Sequence, residues 1–234
     1  MTSKADPVLI FDLDGTVLRV NSFPVWVRQL LLARFDHLSI SARLTVAART
    51  AGAVARRKLL RHDHATFKRA LQGVWAEAMA GGRHELAAAG QVTRHLLPQV
   101  RDNLEPVLRA VADGRVDAVL STAAAAEYAV PLGQSLGFHH IIATPRQGGG
   151  TENIGAAKRD RTLAYLQDQG WGGRRRVFFT DHPDDLPLIL ECHTILWLGD
   201  DDHLETVRAH TGDLPVIPVR AMPGDEILRL ATSG

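Results

Sequence analysis

The chain has 234 residues, 45% hydrophobic and 23% charged, which is ordinary globular composition and enough to bury a sizeable core. Its single cysteine, Cys192, excludes an internal disulfide and reads as a buried thiol in a reducing compartment. The net charge of +1 hides a division, because residues 19–98 hold 13 Lys/Arg against 4 Asp/Glu (+9) and the remainder holds 14 against 22 (−8). Such a split predicts two parts with different jobs.

In chain order, residues 1–7 carry no long apolar region, so no signal peptide is expected there. Residues 8–11 are a short apolar run that reads as a strand buried on both faces. The pattern then turns helical. Val25, Val27, Leu30, Leu31 and Leu32 begin an apolar face, followed by helical periods over 39–60 and 64–79. Phe67, Leu71, Val74, Trp75 and Met79 form the expected buried stripe of the third helix. Gly81-Gly82 interrupts the pattern, and a fourth helix covers 85–97, stopping before Pro98. The stretch 23–35 contains Arg28 and Arg34 and is too short and too charged to span a bilayer. No transmembrane segment is expected, and the protein reads as soluble and cytoplasmic.

Beyond residue 98, strands and helices alternate. Helices are expected at 104–112, 123–136, 153–169 and 204–211, and strands at 116–120, 141–143, 176–180 and 193–198. A further edge strand is expected at 216–219, and the glycine run within 147–151 reads as a flexible loop. Alternating strands and helices predict an α/β fold: a doubly wound parallel sheet, Rossmann-like, with an all-helical block inserted after its first strand. The expected division is a core of 1–18 and 99–234 and a helical cap of 19–98.

The first strand runs into Asp12-Leu13-Asp14-Gly15-Thr16. Ligands of open α/β sheets bind beyond the carboxyl ends of strands. Two carboxylates held this close repel each other, and a Mg²⁺ ion, which prefers oxygen ligands, relieves that repulsion. Gly15 permits a tight turn. Taken singly, Asp-Gly marks turns everywhere, and the Ser121-Thr122 hydroxyls after the second strand could be helix caps. Lys158 opens a helix, where a cation is disfavoured by the dipole. The strand 176–180 ends in Asp181, with Asp185 four positions on.

The string Phe-Asp-Leu-Asp-Gly-Thr resembles the first signature of the haloacid dehalogenase-like hydrolases, most of which are phosphatases. Leu-Ser-Thr-Ala-Ala, Lys158 and Asp181-His-Pro-Asp-Asp185 are similar to that superfamily's later signatures, in order. The helical insert after the first signature resembles the phosphoserine-phosphatase-like branch. The resemblance implies Asp12 as nucleophile, Asp14 as general acid and base, and Thr122, with Ser121 as fallback, as phosphoryl ligand. It further implies Lys158 as charge neutraliser and Asp185 as the second acid of the last signature. Mg²⁺ would sit on the Asp12 and Asp181 side chains and the Asp14 carbonyl. Gly15 and Asn21 are the remaining substrate-side positions. Asn21 stands where phosphoserine phosphatases carry a glutamate that reads the amino group, which argues against phosphoserine. The resemblance assigns no role to His182.

The resulting expectation is Mg²⁺-dependent hydrolysis of a small phosphorylated metabolite through an aspartyl-phosphate. A dehalogenase ranks lower, because those enzymes lack the second aspartate. A phosphotransferase would use the same intermediate. A non-catalytic binding protein would instead use its basic cap on nucleic acid or anionic lipid. A basic lid for substrate capture lies between these readings, with Arg56-Arg57-Lys58 as a secondary anion site.

Overall fold

The computed structural model describes residues 6–61, 63–79, 83–146 and 150–233. The glycines at 81–82 and those at 148–149 lie outside the described residues, as do residues 1–5. Six parallel strands form one sheet: β1 (Val8–Phe11), β2 (Asp117–Ala125), β3 (His140–Thr144), β4 (Arg176–Thr180), β5 (Thr194–Trp197) and β6 (Val216–Pro218), in the order β3-β2-β1-β4-β5-β6. β1 lies inside, and its four side chains are fully buried. Strand alternation sends Leu9 and Phe11 to one face and Val8 and Ile10 to the other, each into its own apolar cluster. Phe11 stacks on Phe179 of the neighbouring strand at 4.2 Å. The strand order reverses direction between β1 and β4, so the crevice beyond their carboxyl ends is the topological switch point of the sheet.

Four helices follow β1 before residue 98: α1 (Ser22–Leu32), α2 (Ile40–Leu60), α3 (His64–Ala78) and α4 (Arg83–Leu96). Asn21, Ser39 and Asp63 start the first three, each accepting a backbone N–H through its side-chain oxygen. Trp26, Trp75 and Phe67 bury the inner faces of this block, and Trp26 meets Tyr128 of the sheet region at 5.3 Å. The chain leaves and re-enters at one place, where Leu18 and Val100 pair antiparallel. The other helices are α5 (Glu105–Ala112), α6 (Ala126–Ser135), α7 (Gly155–Asp168), α8 (Leu186–Ile189), α9 (Asp201–Thr211) and α10 (Gly224–Thr232). Among the described residues, no helix is long and apolar enough to cross a membrane.

One boundary corrects the sequence reading. The helix expected from residue 123 begins at Ala126, and β2 runs on through Ala123-Ala124-Ala125. Alanine favours helix, but Ala125 pairs with Thr144 of β3, and the Ala123 carbonyl accepts the Thr144 hydroxyl at 2.6 Å. Tertiary pairing overrides the local preference. Cys192 is buried as expected; its Sγ donates to the Leu188 carbonyl, and burial pushes the thiol up to about 12.

Candidate active site

The sheet sets the first carboxylate. The Asp12 N–H donates to the Phe179 carbonyl at 2.9 Å, which continues the β1–β4 ladder one residue past the strand. The chain then turns sharply over Leu13–Val17, with Gly15 at φ +74°. A side chain is excluded at Gly15 for a second reason. A Cβ there would lie 1.9 Å from Asp181 Oδ2, so the missing methyl is the space that Asp181 occupies. Thr16 Oγ1 donates to Asp181 Oδ1 at 2.8 Å, and Arg101 holds the turn by donating to the Gly15 and Thr16 carbonyls at 2.6 and 2.9 Å.

Lys158, on the first turn of α7, is buried with its Nζ 2.7 Å from Asp12 Oδ1 and 2.8 and 2.9 Å from the two oxygens of Asp185. Asp185 is fixed in turn by the Thr180 hydroxyl at 2.6 Å. Asp14 points the other way, its Oδ1 accepting the Ser22 N–H at the start of α1 at 2.8 Å. The Ser22 hydroxyl is 2.9 Å from that of Tyr128. Asp12, Asp14, Tyr128, Lys158, Asp181 and Asp185 line a cleft of about 410 Å³ between the helical block and the sheet.

The electrostatics follow from burial. Removal from water is the largest influence on Asp12 and pushes its carboxyl up to about 8; Lys158 opposes this, and Asp185 and Asp181 add to it. Asp14 is pushed up to about 6, again chiefly by burial and against the hydrogen bonds from Ser22. Asp181 is also raised by burial, against the bond from Thr16. Burial alone would depress the Lys158 ammonium, but Asp12 and Asp185 outweigh it and hold it above the ordinary lysine range. The pocket thus holds more carboxylate charge than Lys158 alone balances.

Of the positions singled out in the sequence, Asp12, Asp14, Gly15, Asn21, Thr122, Lys158, Asp181 and Asp185 line this cleft. Ser121 does not: its hydroxyl lies 2.8 Å from Thr162 Oγ1 and accepts from Asn153 Nδ2 at 3.2 Å, bracing β2 to α7. Thr122 Oγ1 accepts the Ala124 N–H at 3.0 Å and keeps its own proton to donate. Asn21 Oδ1 is engaged by the Phe23 N–H at 2.9 Å, as the cap of α1. His182 Nδ1 accepts the Asp184 N–H, and its ring meets His203 edge-on at 4.8 Å. The Arg56-Arg57-Lys58 cluster, read as a secondary anion site, lies outside the lining of this cleft. Arg57 is turned to His64 Nδ1 and the Phe67 ring instead.

Sequence reasoning missed Lys68. It is a buried lysine on α3 whose Nζ lies 2.6 Å from Glu152 Oε1 and donates to the Ala123 carbonyl at 3.1 Å. With Phe23 and His64 it brings the helical block into the cleft. A signal was present: His64, Lys68 and Gln72 are spaced i, i+4, i+8 beside the apolar stripe. Gln72 is buried too, donating to both Glu127 oxygens at 3.1 Å and to the Pro145 carbonyl at 2.9 Å.

A doubly wound sheet with paired aspartates at its switch point and a buried lysine between them defines a class, and the sequence agrees. Residues 9–190 match the haloacid dehalogenase-like hydrolase family, and the chain belongs to it. Among solved structures, it is similar to a protein of unknown function from Bordetella pertussis Tohama I, at 20% identity and a TM-score of 0.69, covering 92% of this chain and 99% of that one. It is also similar to a probable phosphoserine phosphatase from Vibrio cholerae, at 13% identity and a TM-score of 0.59, covering 98% and 65% of the two chains. A structure described as a phospho-aspartyl intermediate analogue of phosphoserine phosphatase matches at 10% identity and a TM-score of 0.54, covering 97% and 99%. At these identities the likeness is one of fold. No curated protein matches the sequence.

Proposed function

We propose that the protein is a Mg²⁺-dependent phosphatase that hydrolyses a phosphate monoester through a phosphorylated Asp12. The observation that carries this reading is the Lys158 ammonium bridging Asp12 and Asp185 on the floor of a cleft where Gly15 leaves room for Asp181.

The donor set fits a hard divalent cation. Two carboxylates, the buried Asp12 and the half-buried Asp181, are both raised by desolvation and by neighbouring acids, and the place beside Asp181 is one that a single Cβ would close. The resemblance to the family adds the Asp14 carbonyl as a third protein oxygen. Bound there, Mg²⁺ would neutralise carboxylate charge and phosphoryl oxygens.

The remaining work falls to the chain. Asp12 attacks phosphorus in line, and the ester P–O bond breaks as an Asp12–phosphate bond forms. Asp14, raised to about 6, gives its proton to the departing alkoxide oxygen. It then takes a proton from the water that attacks phosphorus, which frees phosphate and restores Asp12. Lys158 and the Thr122 hydroxyl stabilise charge on the phosphoryl oxygens. Asp185 touches no reacting atom and is a positioning residue: it holds the Lys158 ammonium in place. Residues 19–98 act as a cap over the core of 1–18 and 99–234, closing the cleft against water while Asp12 is modified.

The substrate is a small phosphorylated metabolite, and the protein works in the cytoplasm. Asn21, engaged as a helix cap, supplies no carboxylate for an amino group. The cleft's Lys68 and His64 favour a leaving group with a polar or anionic arm. A panel of phosphorylated metabolites assayed with Mg²⁺ tests the reading. Release of inorganic phosphate from at least one member, lost in Asp12→Asn, is the expected result, and no release from any member overturns it.

A further inference from the structure

The longest helix of the cap presents a face that the catalytic reading leaves unexplained. On α2, Ile40, Leu44, Ala48, Ala51, Ala55 and Leu59 are all exposed. At 3.6 residues per turn they fall within an arc of roughly 100°. The opposite side, with Val46, Thr50 and Ala53, is the one that is buried. The leucines and isoleucine are not marginal: Ile40 is 78%, Leu44 66%, Leu59 81% and Leu60 63% exposed. Beside the amino-terminal half lies a groove of about 600 Å³ with Leu32, Ile40 and Leu44 on its walls and Arg34, Arg43 and Arg94 around it.

The charge on α2 itself is of one sign, although the exposed Asp36 lines the groove beside it, 3.8 Å from Arg43. Residues 37–62 contain six Lys/Arg and no Asp or Glu. Arg43, Arg49 and Arg57 are turned to the Leu38 carbonyl, to Glu77 and to His64. Arg56, Lys58 and Arg61 have no hydrogen-bonding or ion-pair partner among the described residues and flank the exposed leucines at the carboxyl end of the helix.

We propose that α2 is a docking surface for an anionic lipid bilayer, lying in the plane of the interface with its apolar stripe in the headgroup–acyl boundary. Both halves of the pattern are needed. Nucleic acid would satisfy the cations but give exposed isoleucine and leucine no apolar phase. A second copy of the chain would cover the leucines but would set the unpartnered Arg56, Lys58 and Arg61 against their counterparts with no acid on the helix to answer them. An anionic bilayer offers negative headgroups over an apolar layer, the complement of a basic amphipathic helix. Each lysine or arginine near such a surface is worth on the order of fivefold in partitioning, so three together give on the order of a hundredfold, falling with salt.

The test is flotation of the full chain with vesicles of phosphatidylcholine alone and of phosphatidylcholine with phosphatidylglycerol, at low and high salt. Wild type should float only with the anionic vesicles and lose most of its binding in high salt. Arg56→Gln/Lys58→Gln/Arg61→Gln should bind them on the order of a hundred times less. Leu44→Asn/Leu59→Asn, which leaves every charge in place, should also lose binding at least tenfold. Thermal midpoint and hydrolysis of a soluble aryl phosphate should be unchanged in both, and the single Leu59→Asn serves if the double variant fails to fold. No flotation of wild type at low salt overturns the proposal. So does undiminished binding by the leucine variants, which would reduce the effect to adsorption by charge. Duplex DNA or RNA binding without vesicle binding overturns it, as does a dimer in sedimentation that the leucine substitutions dissociate.

Discussion

Asp12 and Asp14 differ by two positions, yet their surroundings separate them. Asp12 continues the β1–β4 ladder and meets Lys158, whereas Asp14 is turned to the amino end of α1. Replacing Asp12 with Asn keeps shape and one acceptor oxygen but removes the proposed nucleophile, so turnover should fall by roughly three orders of magnitude or more with the melting temperature little changed. Steady-state kinetics beside a thermal melt decide it; a folded Asp12→Asn protein with substantial turnover removes Asp12 from its role. Asp14 predicts a pH profile. Its carboxyl sits near 6, and only the protonated form can supply the leaving group's proton. With Mg²⁺ supplied, kcat/KM for an alkyl phosphate should therefore fall as pH rises past the Asp14 carboxyl's range, which a bound cation draws below its metal-free position. Nitrophenyl phosphate, which needs little protonation, should lose that limb. Profiles of the same shape for both esters would count against Asp14 as the acid.

Two elements carry the site's precision. The turn after β1 needs Gly15 for its positive φ and for the room it leaves Asp181. Gly15→Ala should displace Asp181 and cost on the order of a hundredfold in kcat, the scale of a misplacement of about 1 Å. Near wild-type turnover would show that the turn can yield. On α3, the polar stripe His64–Lys68–Gln72 joins the cap to the sheet. Gln72 is a partner of Glu127, whose carboxyl is raised by burial against that very bond. Gln72→Ala leaves the carboxylate short of a donor and should destabilise the protein by about 1–3 kcal/mol. Denaturant unfolding measures this, and an unchanged midpoint would mean that water replaces the amide.

At the scale of the whole molecule, the proposed Mg²⁺ site predicts that metal and stability are coupled. Asp12, Asp181 and Asp185 crowd one ammonium, so a cation that binds only the folded state should raise the melting temperature, increasingly with concentration. Calorimetry in a chelator and then in millimolar Mg²⁺ should show a rise for wild type that is lost in Asp181→Asn. Equal shifts in both would place the ion elsewhere.

Much was legible in the sequence because the catalytic core of this fold announces itself locally. A strand buried on both faces must be a continuous apolar run, and the residue that ends it sits at the switch point by topology. Asp12 and Asp181 could thus be singled out without coordinates, along with the alternation that predicts a parallel sheet, whereas the lysine opening α7 was singled out by the resemblance to the family. Other features depended on packing between distant segments. Whether Ser121 or Thr122 faces the cleft depends on the parity of β2, and how far β2 runs depends on its pairing with β3, which outweighs three alanines. Lys68 enters the site only because α3 is laid across the sheet's edge, and no local pattern specifies that docking. Packing against α1 and α3 decided which side of α2 was covered, leaving Ile40, Leu44 and Leu59 in the open: periodicity shows that a helix has an apolar stripe, but only the neighbours it packs against determine whether that stripe is buried.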